Sequence, residues 1–88
     1  MPQFSRAELI LNTPVRVELL DAEVLLIDIE DQSFLEPKTG QRSRRSRGRI
    51  RITRDKSETE LEFGTGHRLE FDGRLLSISD RVLTVRIP

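Results

Sequence analysis

The residues with the greatest capacity for chemistry lie in one run. From Gln41 to Arg47 the chain reads Gln-Arg-Ser-Arg-Arg-Ser-Arg, and Lys38, Arg54 and Lys56 flank it. An arginine side chain is a planar fork that grips phosphate or carboxylate oxygens with two parallel N–H bonds, and neighbouring hydroxyls add donors. The candidate anion-binding residues are therefore Lys38, Arg42, Arg44, Arg45, Arg47, Arg54 and Lys56. Arg49 and Arg51 belong to the same stretch but are set aside, because the hairpin register given below places Glu62 and Glu60 directly across from them. Contacts of this kind hold nucleic-acid phosphate with little sequence preference.

The charge distribution sharpens this expectation. The chain has 88 residues and a formal charge of zero, from 15 Lys+Arg against 15 Asp+Glu. Residues 1–37 hold eight acidic and two basic residues, residues 38–57 hold one acidic and nine basic, and residues 58–88 hold six acidic and four basic. The basic block coincides with a stretch, about 31–47, that has no hydrophobic periodicity and reads as a long Arg-rich loop, the expected first site of tryptic cleavage. Part of that block could instead neutralise the acidic first third, within one chain or between subunits. Whole-chain neutrality sets it apart from dedicated nucleic-acid proteins, whose domains are clearly basic.

Other constellations carry less. His67 follows Phe63-Gly64-Thr65-Gly66, but a phosphate-cradling Gly loop opens a helix, and here a strand follows. His67 reads as a sheet-margin histidine opposite Ile78. Asp28, Glu30 and Asp31 match no metal loop and divide between two strand faces. Glu58, Glu60 and Glu62 line one face opposite arginines, whereas acid–base work needs two carboxyl groups in different environments around a cleft. With no Cys and one His, thiolate metal sites, disulfides and cysteine catalysis are excluded, and a Ser-His-Asp triad could form only through His67. No catalytic residue, metal or cofactor is expected. The absence of Trp and Tyr weakens base stacking. The longest apolar run is Val24–Ile27, too short for a membrane span. Cysteine-free composition fits a reducing, cytoplasmic setting.

Asp31-Gln32-Ser33 and Arg45-Ser46-Arg47-Gly48-Arg49 resemble, as fragments, the two short signatures of cyclic-dinucleotide-binding PilZ barrels. Here the arginine fragment follows the Asp-x-Ser fragment, the reverse of that family's order, and Glu36 stands where the family has Gly. Membership is not inferred.

The elements that must position these residues are strands. Period-two alternation between turn residues runs through most of the chain. Asp72-Gly73 is a type I′ hairpin dipeptide, and it pairs Leu69 with Leu76 and Phe71 with Arg74. A second turn at Ser79-Asp80 would pair Leu76 with Leu83 and complete a C-terminal meander. A turn at Asp55-Lys56 pairs Ile52 with Thr59, Ile50 with Leu61, Arg51 with Glu60 and Arg49 with Glu62, and opposite charges across a pair help fix register. A turn at Asp21-Ala22 would set Val17 against Leu26 and Leu19 against Val24. The second strand of that hairpin is apolar on both faces, which predicts burial on both, in a central position, at a barrel corner or against the N-terminal segment. Ser5 and Glu8 match a capping box, and Phe4 with Leu9 a hydrophobic staple, so a short helix is predicted before Pro14, with a further strand as the alternative.

The sequence thus predicts a single all-β domain over residues 1–88: an antiparallel barrel or sandwich of seven or eight strands. The expected core is Val17, Leu19, Val24, Leu26, Ile27, Ile50, Ile52, Leu61, Phe63, Leu69, Phe71, Leu76, Ile78, Leu83 and Val85. The expected function is a small non-enzymatic binding module for an anionic partner, nucleic acid first. The alternative is a protein-interaction module, an oligomerising subunit or a small inhibitor, using a sheet edge and the same loop.

Overall fold

Alternating residues fold as strands because one side of each can be buried while the other meets water. The computed structural model describes residues 4–88. It contains β1 (Phe4–Glu8), β2 (Val15–Val17), a 3-10 turn (Glu18–Leu20), β3 (Ala22–Leu35), β4 (Arg42–Arg54), β5 (Ser57–Gly64), β6 (Leu69–Phe71), β7 (Arg74–Ser79) and β8 (Val82–Arg86). These form two antiparallel four-stranded sheets, β2-β3-β4-β5 and β1-β8-β7-β6. Among the described residues no ladder closes the two sheets into a barrel. Their inward side chains make one cluster: Val17, Ala22, Val24, Leu26, Ile50, Ile52 and Phe63 from the first sheet, Leu76, Ile78, Leu83 and Val85 from the second, with Leu9 after β1 and Leu20 from the 3-10 turn.

The middle hairpin has the predicted register at all four predicted pairs. The Asp72-Gly73 hairpin likewise pairs Leu69 with Leu76 and Phe71 with Arg74 as predicted. The remaining two hairpins differ in detail. The last turn is Asp80-Arg81, with φ of 50° and 65°, so Leu76 faces Val85 and Ile78 faces Leu83. The two-residue shift keeps every side chain on its expected face. In the first hairpin Val15 pairs with Val24 and Val17 with Ala22, because Glu18–Leu20 winds into a 3-10 turn and Asp21 closes it at φ 49°. That turn drives Leu20 into the core, where it is fully buried, and leaves Leu19 partly buried.

The N-terminal segment is strand β1, not a helix. It lies along β8 from Phe4↔Arg86 to Glu8↔Val82. The capping-box spacing is outweighed by the ladder bonds that β8 offers along its open edge, since an isolated helix this short is marginal. Leu9 then turns inward, held by its N–H donating to the Arg81 carbonyl at 2.7 Å.

β3 is an interior strand, the first of the three placements its apolar character allowed, but burial on both faces is not the reason for that character. The pairing runs Leu26↔Ile50 and then Asp28↔Arg49, with Ile27 bulged out between them. A bulge exchanges the two faces of a strand beyond it. Val24 and Leu26 point inward before it, and Ile29 packs against the core after it. Gly48 is required here: a Cβ at this position would strike the Asp28 carbonyl and lie 2.9 Å from the Phe63 ring.

Candidate nucleic-acid interface

The predicted loop over 31–47 is instead the far half of the longest hairpin. β3 and β4 pair without a break from Asp28↔Arg49 to Leu35↔Arg42, and only residues 36–41 connect them. The Arg/Ser run Arg-Ser-Arg-Arg-Ser-Arg repeats every three residues, not two, and puts polar side chains on both faces, so strand patterning misses it. The turn is tied by Glu36 N–H donating to the Gln41 carbonyl at 2.9 Å and Gly40 N–H to the Glu36 carbonyl at 2.8 Å.

β5 accompanies β4 only as far as Arg47↔Gly64. Thr65 extends that contact by one residue, its hydroxyl accepting from the Ser46 N–H at 2.8 Å. On the other side β2 leaves β3 at Val24, and Leu11 and Asn12 cover the edge as far as Leu26. Beyond these points the two strands form a ribbon with both edges free of other strands among the described residues. The ribbon accounts for a length of 47 Å against widths of 32 and 17 Å, and for a radius of gyration of 14.1 Å where a compact chain of this size has about 12 Å.

The bulge sets which side chains share a face. One face carries Asp28, Glu30, Gln32 and Phe34 across from Arg49, Arg47, Arg45 and Ser43. Arg49 donates two bonds to Asp28, at 3.0 and 2.7 Å, and Arg47 one to Glu30 at 3.2 Å. The Arg49 and Arg51 guanidiniums are held above the ordinary arginine pKa, chiefly by hydrogen bonds to Asp28 and Glu60 respectively. The Arg45 guanidinium lies 5.1 Å from the Phe34 ring centre, a cation–π contact. The other face carries Asp31, Ser33 and Leu35 across from Ser46, Arg44 and Arg42. Asp31 is engaged there, accepting from the Ser46 hydroxyl at 2.8 Å and facing Arg81 at 3.6 Å.

The seven predicted anion-binding residues therefore fall into distinct settings. Arg42, Arg44 and Arg45 are exposed on the ribbon, and Lys38 lies in its connection. None of these four has an ion-pair partner among the described residues. Arg47 stands at the ribbon's base, paired with Glu30. Lys56 is exposed in the β4–β5 turn. Arg54 lies away from the ribbon and joins the two sheets: it donates to Asp72 at 2.8 Å and to the Leu20 carbonyl, and stacks 5.1 Å from the Phe71 ring centre. The pairing of Arg49 with Glu62 holds in register only, since the side chain turns to Asp28.

His67 is not opposite Ile78. It lies outside the strands, exposed, with its N–H donating to the Gly64 carbonyl at 3.0 Å and its imidazole packed over Gly64. Phe34 and Gln32, which a loop reading passes over, belong to the ribbon surface; the missed signal is the two-residue spacing that places Phe34 within reach of Arg45. Compared with models of known protein families, with curated proteins and with solved structures, the chain finds no match in any of the three.

Proposed function

We propose that this protein is a small non-enzymatic binding module whose β3–β4 ribbon engages the grooved, anionic surface of nucleic acid. The observation that carries the reading is the set of unpaired cations on the ribbon: Arg42, Arg44, Arg45 and Lys38 lack carboxylate partners, whereas arginines nearer the body have them. Its form is also suitable. A major groove of B-DNA is about 12 Å wide and admits a two-stranded β-ribbon. From Asp31 to Leu35 the ribbon spans four residue steps, roughly 14 Å, enough to reach the floor of a groove about 8.5 Å deep.

A second reading is supported by a different feature of the same element. Leu35 is 61% exposed and Phe34 38% exposed, and apolar side chains on a free strand pair suit a protein partner or a second copy. Salt separates the two. Fluorescence anisotropy of labelled single- and double-stranded oligonucleotides, titrated across a salt series, should show duplex binding with a log–log slope of about −2.7 for three neutralised phosphates. The variant with Arg42, Arg44 and Arg45 changed to Ser should lose that binding. Absence of binding at low salt sinks the nucleic-acid reading and leaves the protein-partner reading, which pull-down and mass measurement of oligomers would then test.

A further inference from the structure

Seven of the thirteen arginines are in ion pairs: Arg16, Arg47, Arg49, Arg51, Arg54, Arg74 and Arg81. Three of the remaining six are on the ribbon. The other three, Arg6, Arg68 and Arg86, converge on one groove of about 310 Å³ on the β1-β8-β7-β6 sheet. They come from separate parts of the chain: Arg6 from β1, Arg86 from β8, and Arg68 from the segment just before β6.

The groove lies on the face of this sheet turned away from the core. Leu76, Ile78, Leu83 and Val85 fill the inward face, so Ser77 and Thr84, which pair with each other across β7 and β8, point outward. Arg6 pairs with Thr84 on the same face. The groove is lined by Arg6, Arg68, Arg86, Ser77 and Thr84, with Leu75 and Leu76 and no acidic residue. Glu8 and Glu70 share this face by register but do not line the groove. Three like charges line this groove, none of them in an ion pair among the described residues, on a chain of zero net charge that pairs most of its other arginines.

We infer that this groove is a binding site for two linked phosphate groups of a small ligand, a diphosphate or closely spaced bisphosphate. Guanidinium forks match phosphate oxygens two at a time, and hydroxyls supply further donors. A single phosphate ester carries about −1.5 to −2 at pH 7, so three arginines exceed one such group and suit two. Phe4, which pairs with Arg86 on this face and whose ring centre lies 5.8 Å from the Arg6 guanidinium, borders the groove without lining it, so the lining itself offers contacts to phosphates. The site is independent of the ribbon.

Calorimetric titration of the full chain at low ionic strength with pyrophosphate, inorganic phosphate and sulfate tests this. Pyrophosphate is expected to bind one per chain, at least tenfold tighter than sulfate. Arg6→Gln, Arg68→Gln and Arg86→Gln are each expected to weaken it by roughly tenfold, as loss of a charge-assisted contact does, with thermal melts confirming that each variant folds. Arg86→Lys keeps the charge but not the fork, and should recover only part of the loss. The ribbon variant with Arg42, Arg44 and Arg45 changed to Ser should bind pyrophosphate unchanged, so loss of the ribbon's oligonucleotide binding and loss of this site are read separately. Equal affinity for sulfate and pyrophosphate, or groove variants that bind like the parent, would overturn the assignment. So would displacement of pyrophosphate by duplex DNA, which would make the groove part of a nucleic-acid surface.

Discussion

At the residue scale, the side chains that hold this protein together are charged ones used structurally. Arg54 is the clearest case. Its guanidinium reaches Asp72, the Leu20 carbonyl and the Phe71 ring, and so ties the first sheet to the β6–β7 turn of the second. The same contact, first through the hydrogen bond and then through the charge, holds the Asp72 carboxyl below its ordinary pKa of 3.8. A carboxyl whose pKa is lowered by folding stabilises the fold above its unfolded pKa, and that contribution is lost as the pH falls through the folded value. Urea midpoints should therefore fall on acidification below about pH 4, and Asp72→Asn should flatten that acid limb while lowering stability at neutral pH. Asparagine tolerates the left-handed conformation of this turn, where φ is 49°, so the substitution removes the charge and keeps the hairpin. An acid limb that is the same in both proteins would show that the Arg54–Asp72 pair adds nothing measurable.

At the scale of elements, the β3–β4 hairpin divides at Gly48. On the body side β4 is flanked by β3 and β5, and its inward side chains Ile50 and Ile52 are buried. Beyond Arg47, where β5 ends, the same two strands have only each other as ladder partners. A lone two-stranded ribbon is at best marginally stable, so its amides should exchange faster than those of the body, and protease should reach it first. Brief trypsin treatment followed by mass spectrometry should place the earliest cut after Lys38, Arg42, Arg44 or Arg45. An earliest cut at Arg16 or Arg68 would mean that the ribbon is covered or more stable than its ladder suggests. The helix predicted near the N-terminus fails at this scale too. A helix confined between Ser5 and Pro14 is too short to be stable by itself, and β8 offers Phe4–Glu8 a partner that the local spacing does not reveal.

At the scale of the whole molecule, one core serves both sheets. Leu26 of the first sheet and Leu76, Leu83 and Val85 of the second lie in one cluster, each at most 1% exposed. Leu26→Ala should cost about 2–5 kcal/mol. It should weaken hydrogen-exchange protection at Leu76 and Val85 as much as at Ile50, because a chain this short has no second core to fall back on. Protection lost only in the first sheet would show that the two sheets unfold separately. Zero net charge likewise hides an organisation visible only across the molecule: the carboxylates neutralise arginines around the body, and the six unpaired arginines gather at the ribbon and in the Arg6–Arg68–Arg86 groove.

The sequence by itself determined the strands, the all-β class and most of the core, because side-chain alternation and Asp-Gly or Asp-Lys turns act over a few residues and need no distant partner. It determined the middle register outright, where charge and apolar pairs agree on both faces. It also singled out Arg42, Arg44 and Arg45, since a basic block is legible in any conformation. The tertiary structure decided three further matters. It placed the bulge at Ile27, which exchanges the faces of β3 and lets Ile29 reach the core. It made residues 31–47 a ribbon, because backbone hydrogen bonding pairs strands that have no apolar face to announce them. And it gathered Arg6, Arg68 and Arg86 into one groove: they are far apart in the chain, and only the pairing of β1 with β8, and of β8 with β7, brings them to the same face of one sheet.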